Sequence, residues 1–197
     1  MVLHTIDMLK ANINPIVIQT VDTDVIIIFL SYYMQFQEYI AQPEICIEFG
    51  HGAHQRFISI KEAFYDFGES FCLSIPFFYD FCGCDATTSF YRKTSSFMFQ
   101  TWMANREQAE LSTAFQQLSW QPSLEVVETC MPVIERFVNY YYVYGDIQSI
   151  NSVRFRIFSS SVSKNLRELP PCFVSLKLHV LRSAFQSGWI WGNTGQY

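Results

Sequence analysis

The chain has 197 residues, of which 50 % are apolar, 17 % aromatic and 16 % charged, and its formal net charge is −5. This length suits one folded domain with a proper core, and the composition excludes a disordered chain. The net negative charge excludes the class of proteins that bind nucleic acid through an overall positive charge. Any basic groove therefore has to be local.

The sequence contains no recognisable signal for export or membrane insertion. Its longest apolar run, Val25 to Leu30 with the aromatic residues after it, is far shorter than the ~20 residues that span a bilayer. No positively charged leader precedes a small-residue cleavage site. We therefore expect an intracellular protein, nuclear or cytoplasmic, with no membrane partner.

The first elements are a helix and a strand. Apolar residues at helical spacing predict a helix over residues 2–11. The β-branched run from Ile16 to Thr20 predicts a strand that is buried on both faces. Residues 25–36 fit either a second strand, by propensity, or a helix capped by Asp24, and the pattern leaves both open.

A hairpin and two helices follow. Alternating apolar residues over 44–49 and 56–60, around a glycine-containing turn, predict a β-hairpin. Residues 61–67 predict a short helix that ends at Gly68. Residues 69–81 predict another helix, which Pro76 either kinks or divides.

The second half of the chain is predicted to be helical. Apolar spacing indicates helical packing over residues 97–117, a connection over 119–123 and a helix over 131–144 that ends at Gly145. Pro170 and Pro171 are predicted to begin the last helix. In that helix we expect an inward face of Leu176, Val180, Phe185 and Trp189 and a solvated face of Lys177, His179 and Arg182.

Three aspartates are candidates for chemistry. Asp22 and Asp24 follow the predicted strand directly, at the end where open α/β sheets bind ligands, and Asp85 follows a Gly-Cys pair. Carboxylate oxygens are the ligands that Mg²⁺ prefers. The alternative is structural, since Asp22 and Asp24 can cap the following helix and Asp85 can fill a turn or cap a helix after it.

These motifs resemble those of a known family. The Asp22-Thr23-Asp24 motif after a hydrophobic strand, followed later by Gly83-Cys84-Asp85, is similar to the flap-endonuclease (XPG) branch of the PIN-like nucleases. The chain resembles more closely a set of uncharacterised, mobile-element-associated animal proteins with Thr-Val-Asp-Thr-Asp-Val and Thr-Gly-Cys-Asp-Thr-Thr-Ser signatures. The likeness continues to Trp191 and Gly192 and so covers nearly the whole chain.

The resemblance implies a fold and a site. The fold would be α/β, a partial three-layer PIN-like fold with a helical carboxyl-terminal half. Residues 1–90 would carry the aspartates, and residues 91–197 would form a helical region packed on them in one continuous domain. Asp22, Asp24 and Asp85 match the family's catalytic metal ligands and would hold Mg²⁺ or Mn²⁺ weakly, whereas Arg92 and Lys93 match a phosphate-gripping segment and would bind DNA or RNA.

The chain also departs from the family pattern. The resembled proteins carry a Glu-Glu-Ala-Asp segment before the first helix, whereas this chain begins at Met1, inside that helix. Further metal-binding acids are therefore expected to be missing, together with an amino-terminal part that activity requires. Residues 91–96 keep two basic side chains but lack the glycine that close backbone approach to phosphate needs.

Two functions stay open at this point. The first is a diverged metal-dependent nuclease that hydrolyses DNA or RNA phosphodiesters by the two-metal-ion chemistry of its relatives. The second is a non-catalytic nucleic-acid or protein interaction module derived from a mobile element. The oligomeric state is not predicted.

Overall fold

The structure is a computed structural model that describes residues 1–105, 109–120, 122–142, 149–160 and 165–192. These residues form a small sheet and a larger set of helices, a mixed α/β fold that is mostly helical and agrees with the predicted class. In chain order the elements are α1 (Val2–Lys10), β1 (Ile16–Thr20), α2 (Thr23–Gln37), β2 (Ile45–Phe49), β3 (Arg56–Ser59), α3 (Ile60–Phe67), α4 (Glu69–Cys82), α5 (Ser95–Asn105), α6 (Ala109–Trp120), α7 (Leu124–Tyr141), α8 (Ile150–Ser160) and α9 (Phe173–Ala184). A π-helical segment, Phe185–Trp191, extends α9. Within the described ranges, no helix combines the length and the apolar character that crossing a membrane requires.

The sheet has three strands in the order β1-β2-β3. β1 and β2 are parallel, with Ile16 opposite Ile45 and Thr20 opposite Phe49, and α2 connects them. β2 and β3 are antiparallel, which confirms the predicted hairpin. The carboxyl end of β1 therefore faces the start of α2, where the first two aspartates lie.

Within the described ranges, helices cover one face of this sheet and leave the other open. Ile16, Ile45 and Ile47 are fully buried, whereas Val17 is 59 % exposed and Phe57 68 % exposed. The prediction that β1 is buried on both faces is wrong, because its side chains alternate between the core and solvent and Gln19 also lies on the open face. In the described part of the chain the third layer of the predicted three-layer fold is not seen.

Residues 25–36, for which strand and helix were both open, are part of the helix α2. Of the two aspartates that were predicted as possible caps, Asp22 is the cap and Asp24 is not. Its carboxylate accepts the backbone N–H of Asp24 at 2.9 Å, from an extended backbone with φ −95° and ψ 120°. A two-residue turn between strand and helix places the capping position on the first aspartate.

α4 is one continuous helix although it contains Pro76. Proline lacks the N–H that helix bonding uses, and its ring crowds the preceding turn. Side chains of α6 bind backbone groups of that turn: the Ser119 hydroxyl accepts the N–H of Phe77 at 3.0 Å, and the Trp120 indole donates to the carbonyl of Leu73 at 2.8 Å. These contacts explain why Pro76 does not divide the helix.

The buried side chains form two clusters that meet on α4. The first cluster comes from α1, the sheet, α2, α3 and the start of α4, and the second comes from the end of α4 and the helices α5 to α9. Phe71 packs against both clusters and stacks on Trp102 with ring centroids 4.6 Å apart. The helical second half thus packs on the first through α4, while the predicted boundary at residue 90 stays a prediction.

Several predicted helix ends differ from the observed ones. The helical region over 97–117 is two helices, α5 and α6, and α6 continues to Trp120 into the predicted connection. α7 begins at Leu124, where the Ser123 hydroxyl accepts the N–H of Val126, seven residues before the predicted start at Met131. Its predicted end at Gly145 lies outside the described residues.

The last helix differs from the prediction in its start and in its buried face. It begins at Phe173, and Leu176 and Val180 are buried as predicted. The prediction that His179 stays solvated is wrong, because this side chain is buried. Phe185 and Trp189, which were predicted to be buried, are 56 % and 55 % exposed. The cause is the π-helical segment, which shifts the helical phase after Ala184 and turns small residues inward.

Gly83 sets the path from α4 to Asp85, and its substitution is a test of this fold. Gly83 has φ 102°, and a Cβ there would lie 2.7–2.8 Å from Ser89 atoms, including backbone N and Cα. Gly68 has a similar φ of 83° with no atom within 4 Å of a Cβ, which makes it the matched control. We expect Gly68→Ala to cost about 1–2 kcal/mol of unfolding free energy from backbone strain, and Gly83→Ala to cost ~1–3 kcal/mol more because of the clash.

Chemical denaturation of both variants measures this difference. Equal losses of stability would show that the 83–89 loop is not packed as described.

Candidate functional site

The strand-to-helix turn positions the first two aspartates. The N–H of Asp22 donates to the Thr20 hydroxyl at 3.0 Å, and the Asp22 carboxylate caps α2. Asp24 follows in the first turn of α2, where the partial positive charge of a helix start favours a carboxylate. Both side chains therefore lie at the carboxyl end of β1, as predicted.

A tight loop after α4 positions Asp85. The N–H of Cys84 donates to the Thr87 hydroxyl at 3.2 Å, and this hydroxyl in turn donates to the backbone carbonyl of Asp80. The N–H of Thr87 donates back to the carbonyl of Cys84 at 3.3 Å. Asp85 is exposed within this turn and caps no helix, because the next one, α5, begins only at Ser95.

The three predicted ligands line one cleft, here called the acidic cleft, with a volume of about 650 Å³. Two stretches of chain that are distant in sequence meet there, the turn before α2 and the loop after α4. No Lys, Arg or His is among the residues that line it. The lining consists of Val21, Asp22, Thr23, Asp24, Tyr79, Gly83, Cys84, Asp85, Thr87 and Ser89.

The charges in the acidic cleft act on one another. Burial raises the pKa of Asp24, and the neighbouring charges of Asp22 and Asp85 raise it further. A hydrogen bond from the Tyr79 hydroxyl partly offsets this by stabilising the Asp24 carboxylate. The pKa of Asp24 therefore responds to the charges of both other predicted ligands, and its side chain is hydrogen-bonded to a residue of α4.

Sequence reasoning missed a fourth acid, Asp80. It is fully buried on α4, and burial raises its pKa to about 7. One of its oxygens accepts the Cys84 thiol at 3.0 Å, while the other has no hydrogen-bond partner within the described ranges. The sequence offered one signal for it. Asp80 is the one carboxylate inside the run of residues 77–82, where the flanking side chains are aromatic or apolar.

The acidic cleft offers the ligand atoms that a hard divalent cation prefers, but its described side chains do not form a complete metal-binding group. All the carboxylates offer oxygen, the ligand type of Mg²⁺ and Mn²⁺. Across the described segments, however, no three His, Cys, Asp or Glu side chains lie close enough together to hold a metal ion. Mg²⁺ commonly binds through only one or two carboxylates and keeps several waters, so the acidic cleft fits a weakly held single ion.

The two predicted nucleic-acid-binding residues lie elsewhere, and both make internal contacts. Arg92 pairs with Glu168 at 2.8 Å, in an exposed position where such a pair contributes little. Lys93 donates to the carbonyl of Tyr141 at 3.1 Å, and its ammonium lies 4.7–5.4 Å from the centroids of three aromatic rings. Burial lowers the pKa of Lys93. Neither side chain lines the acidic cleft, and their role in binding stays a prediction.

We compared the chain with family models, with curated proteins and with solved structures, and none of them matches it.

The raised pKa of Asp80 predicts a pH dependence of stability. The folded pKa of about 7 exceeds the usual 3.8, so between these values the folded state holds more protons than the unfolded state. The free energy of unfolding should therefore fall as the pH rises from about 4 to 7, by at most ~1.4 kcal/mol per pH unit. Asp80→Asn keeps the oxygen that accepts the Cys84 thiol and removes the ionisation, so this variant should show a flatter curve.

Urea denaturation at a series of pH values measures the effect. Asp66→Asn, on the exposed surface of α3, is the control and should parallel the wild type. Parallel curves for the wild type and Asp80→Asn would instead mean that Asp80 is ionised in the folded protein.

Proposed function

We propose that the chain is a diverged metal-dependent nuclease of the PIN-like type, which binds Mg²⁺ or Mn²⁺ in the acidic cleft and hydrolyses phosphodiesters of DNA or RNA. One observation carries the proposal: Asp22, Asp24 and Asp85 come from separate parts of the chain and line the same cleft. The resemblance of the two aspartate motifs to the flap-endonuclease branch points to the same chemistry, and the parallel β1-α2-β2 unit with acids at its carboxyl end is compatible with that fold.

Each side chain of the acidic cleft has a different role in this proposal. Asp24 and Asp85 would hold the cation, because they line the same space and the charge of Asp85 contributes to the raised pKa of Asp24. Asp22 keeps its capping bond and contributes mainly its charge. Tyr79 holds the Asp24 carboxylate by its hydrogen bond. When bound, a divalent cation supplies a Lewis acid and an activated water for phosphodiester hydrolysis.

Because the acidic cleft is negatively charged, a cation has to bind there before the substrate does. Among the described residues its walls carry carboxylates and no basic side chain, so they repel an anionic phosphodiester. Neutralising these carboxylates is therefore a condition for substrate binding as well as for chemistry.

A second candidate function is a non-catalytic interaction module. Two observations favour it. The Asp22 carboxylate is engaged in capping α2, and the side chains of Arg92 and Lys93 are engaged in contacts within the fold. A domain that uses its acids and cations in this way can keep its structure after losing activity.

Substitution of Asp85 separates the two functions. Asp85 is exposed and its side chain supports no helix, so Asp85→Asn should fold normally. We expect it to weaken Mn²⁺ binding by at least about 10-fold and to abolish Mn²⁺-dependent cleavage of labelled single-stranded DNA and RNA. Free Mn²⁺ is measured by electron paramagnetic resonance, and Asp66→Asn serves as the charge-matched control outside the cleft.

Three outcomes contradict the nuclease proposal. Cleavage that is unchanged in Asp85→Asn rejects the ligand assignment. A wild type that binds Mn²⁺ without cleaving either strand leaves a cation site in an interaction module. A folded wild type that binds no Mn²⁺ at millimolar concentration rejects the metal site altogether.

A further inference from the structure

A second cavity, here called the Arg182 pocket, adjoins the acidic cleft. Its volume is about 340 Å³, within the ~300–1,000 Å³ of typical small-ligand sites. Residues 88–91 form one wall, and α9 with the segment before it forms the other. Half of its lining is polar side chains and half is apolar or aromatic, which is the mixture that binds a ligand with a flat body and a polar group.

The charge of this pocket is opposite to that of the cleft. Among the described residues that line the pocket, Arg182 is the one side chain with a permanent charge, and none is a carboxylate. Arg182 is exposed and forms no ion pair with any side chain that the structure describes. Glu168 lies just before the lining residue Leu169 and is paired with Arg92 at 2.8 Å. An anion is therefore the ligand group that this guanidinium can bind.

The Arg182 pocket also contains hydroxyl groups. Thr88, Ser89 and Ser175 line the pocket together with Arg182. Hydroxyls donate to phosphate oxygens as readily as they accept from other donors. One guanidinium with several hydroxyls is a donor set for a phosphate group, which is larger and offers more acceptor oxygens than a carboxylate.

The rest of the wall is aromatic. His179 is buried, its ring nitrogen lies 2.9 Å from the carbonyl of Phe81, and its ring packs 5.2 Å from that of Phe90. Phe90 and Tyr142 are almost fully buried, whereas Tyr91 at the rim is 40 % exposed. A partly exposed aromatic ring is a surface on which a nucleobase can stack, and the Arg92 guanidinium lies over the Tyr91 ring at 5.5 Å from its centroid.

The Arg182 pocket and the acidic cleft are neighbours that share a lining residue. Ser89 lines both, and Thr87, which lines the cleft, borders a common hollow with Arg182. A chain of nucleotides can therefore extend from one to the other across residues 87–89.

We propose that the Arg182 pocket binds one nucleotide of a single-stranded nucleic acid, with its phosphate on Arg182 and its base on Tyr91, so that a neighbouring phosphodiester lies in the acidic cleft. The single strand follows from the pocket, which has room for one nucleotide and presents a stacking ring that a paired base could not reach. This proposal rests on the proposed nuclease function for the second half of the path, whereas the nucleotide pocket itself does not depend on a metal.

Two ligands test the two parts separately. Thymidine monophosphate in EDTA tests the pocket alone, and a short labelled oligothymidylate with and without Mn²⁺ tests the path into the acidic cleft. We expect the wild type to bind thymidine monophosphate in EDTA and to bind the oligothymidylate more tightly when Mn²⁺ is present. Isothermal titration calorimetry and fluorescence anisotropy measure the two affinities.

Substitutions assign the contacts. Arg182→Gln should weaken both ligands by about 10- to 100-fold, since it removes charged hydrogen bonds. Tyr91→Ala should weaken the oligothymidylate about 10-fold, while Tyr91→Phe keeps the stacking ring and should bind normally. Arg136→Gln, at an exposed arginine of α7 paired with Glu110, makes the same change in net charge and should have no effect. Arg182→Lys is the second variant at this position and should bind with intermediate affinity.

Each failure has its own meaning. Mn²⁺ binding without binding of either nucleotide ligand overturns the pocket and leaves the metal site standing. Equal affinity of thymidine monophosphate for the wild type and Arg182→Gln overturns the phosphate contact. Binding of thymidine monophosphate with no gain for the oligothymidylate in Mn²⁺ shows a free-nucleotide site and overturns the path to the acidic cleft.

Discussion

The turn from β1 into α2 is the constraint on which the site depends. The carbonyl of Thr20 accepts the N–H of Gly50 at 3.1 Å, and two residues later Asp22 already caps the helix. The rest of α2 cannot rotate, because Phe29, Tyr33 and Phe36 are buried against the first core. Asp24 is one turn from this packed face, so its direction is set by the core and needs no ligand to hold it. The acidic cleft is in this sense preformed on one side.

The other side of the cleft is held by α4, which also joins the two cores. Tyr79 binds Asp24 from this helix, and Asp80, next in sequence, points into the interior and is bound by the Cys84 thiol. Ionisation of a buried carboxylate beside Asp24 is unfavourable, both for want of solvent and because of like charge. The raised pKa of Asp80 therefore limits the negative charge that accumulates at the cleft near neutral pH. At the end of the same helix, Gly83 sets the path of the chain that places Asp85 in the cleft. One helix therefore both joins the two cores and positions side chains of the acidic cleft.

Local signals predicted what local interactions determine. The strand β1, the β2-β3 hairpin and the end of α3 at Gly68 follow from alternation and from glycine, and they are found where they were predicted. The buried face of the last helix was wrong at Phe185 and Trp189, since a π-helical segment depends on contacts made by other elements. There, a side chain at Gly188 would clash with Pro122, which is distant in sequence. Asp80 was missed for a related reason: its burial depends on how α4 packs against helices that follow it, and its place in an aromatic run was the one local signal.

The net charge of −5 and the proposed ligand are compatible because electrostatics in water is local. Screening limits the reach of surface charges to ~10 Å at 0.1 M salt, so a pocket with one arginine and no carboxylate can be attractive on an acidic protein. The unfavourable step is the next one, the entry of a phosphodiester into a cleft whose described charged side chains are all carboxylates. One divalent cation would offset two of the three carboxylate charges of that cleft, whereas the Arg182 pocket is positively charged already. In the proposed function the two cavities would thus act in order, because the Arg182 pocket holds one nucleotide while the cation makes the acidic cleft accessible to the next phosphodiester. An acidic cleft without its cation would repel nucleic acid and so prevent unproductive binding.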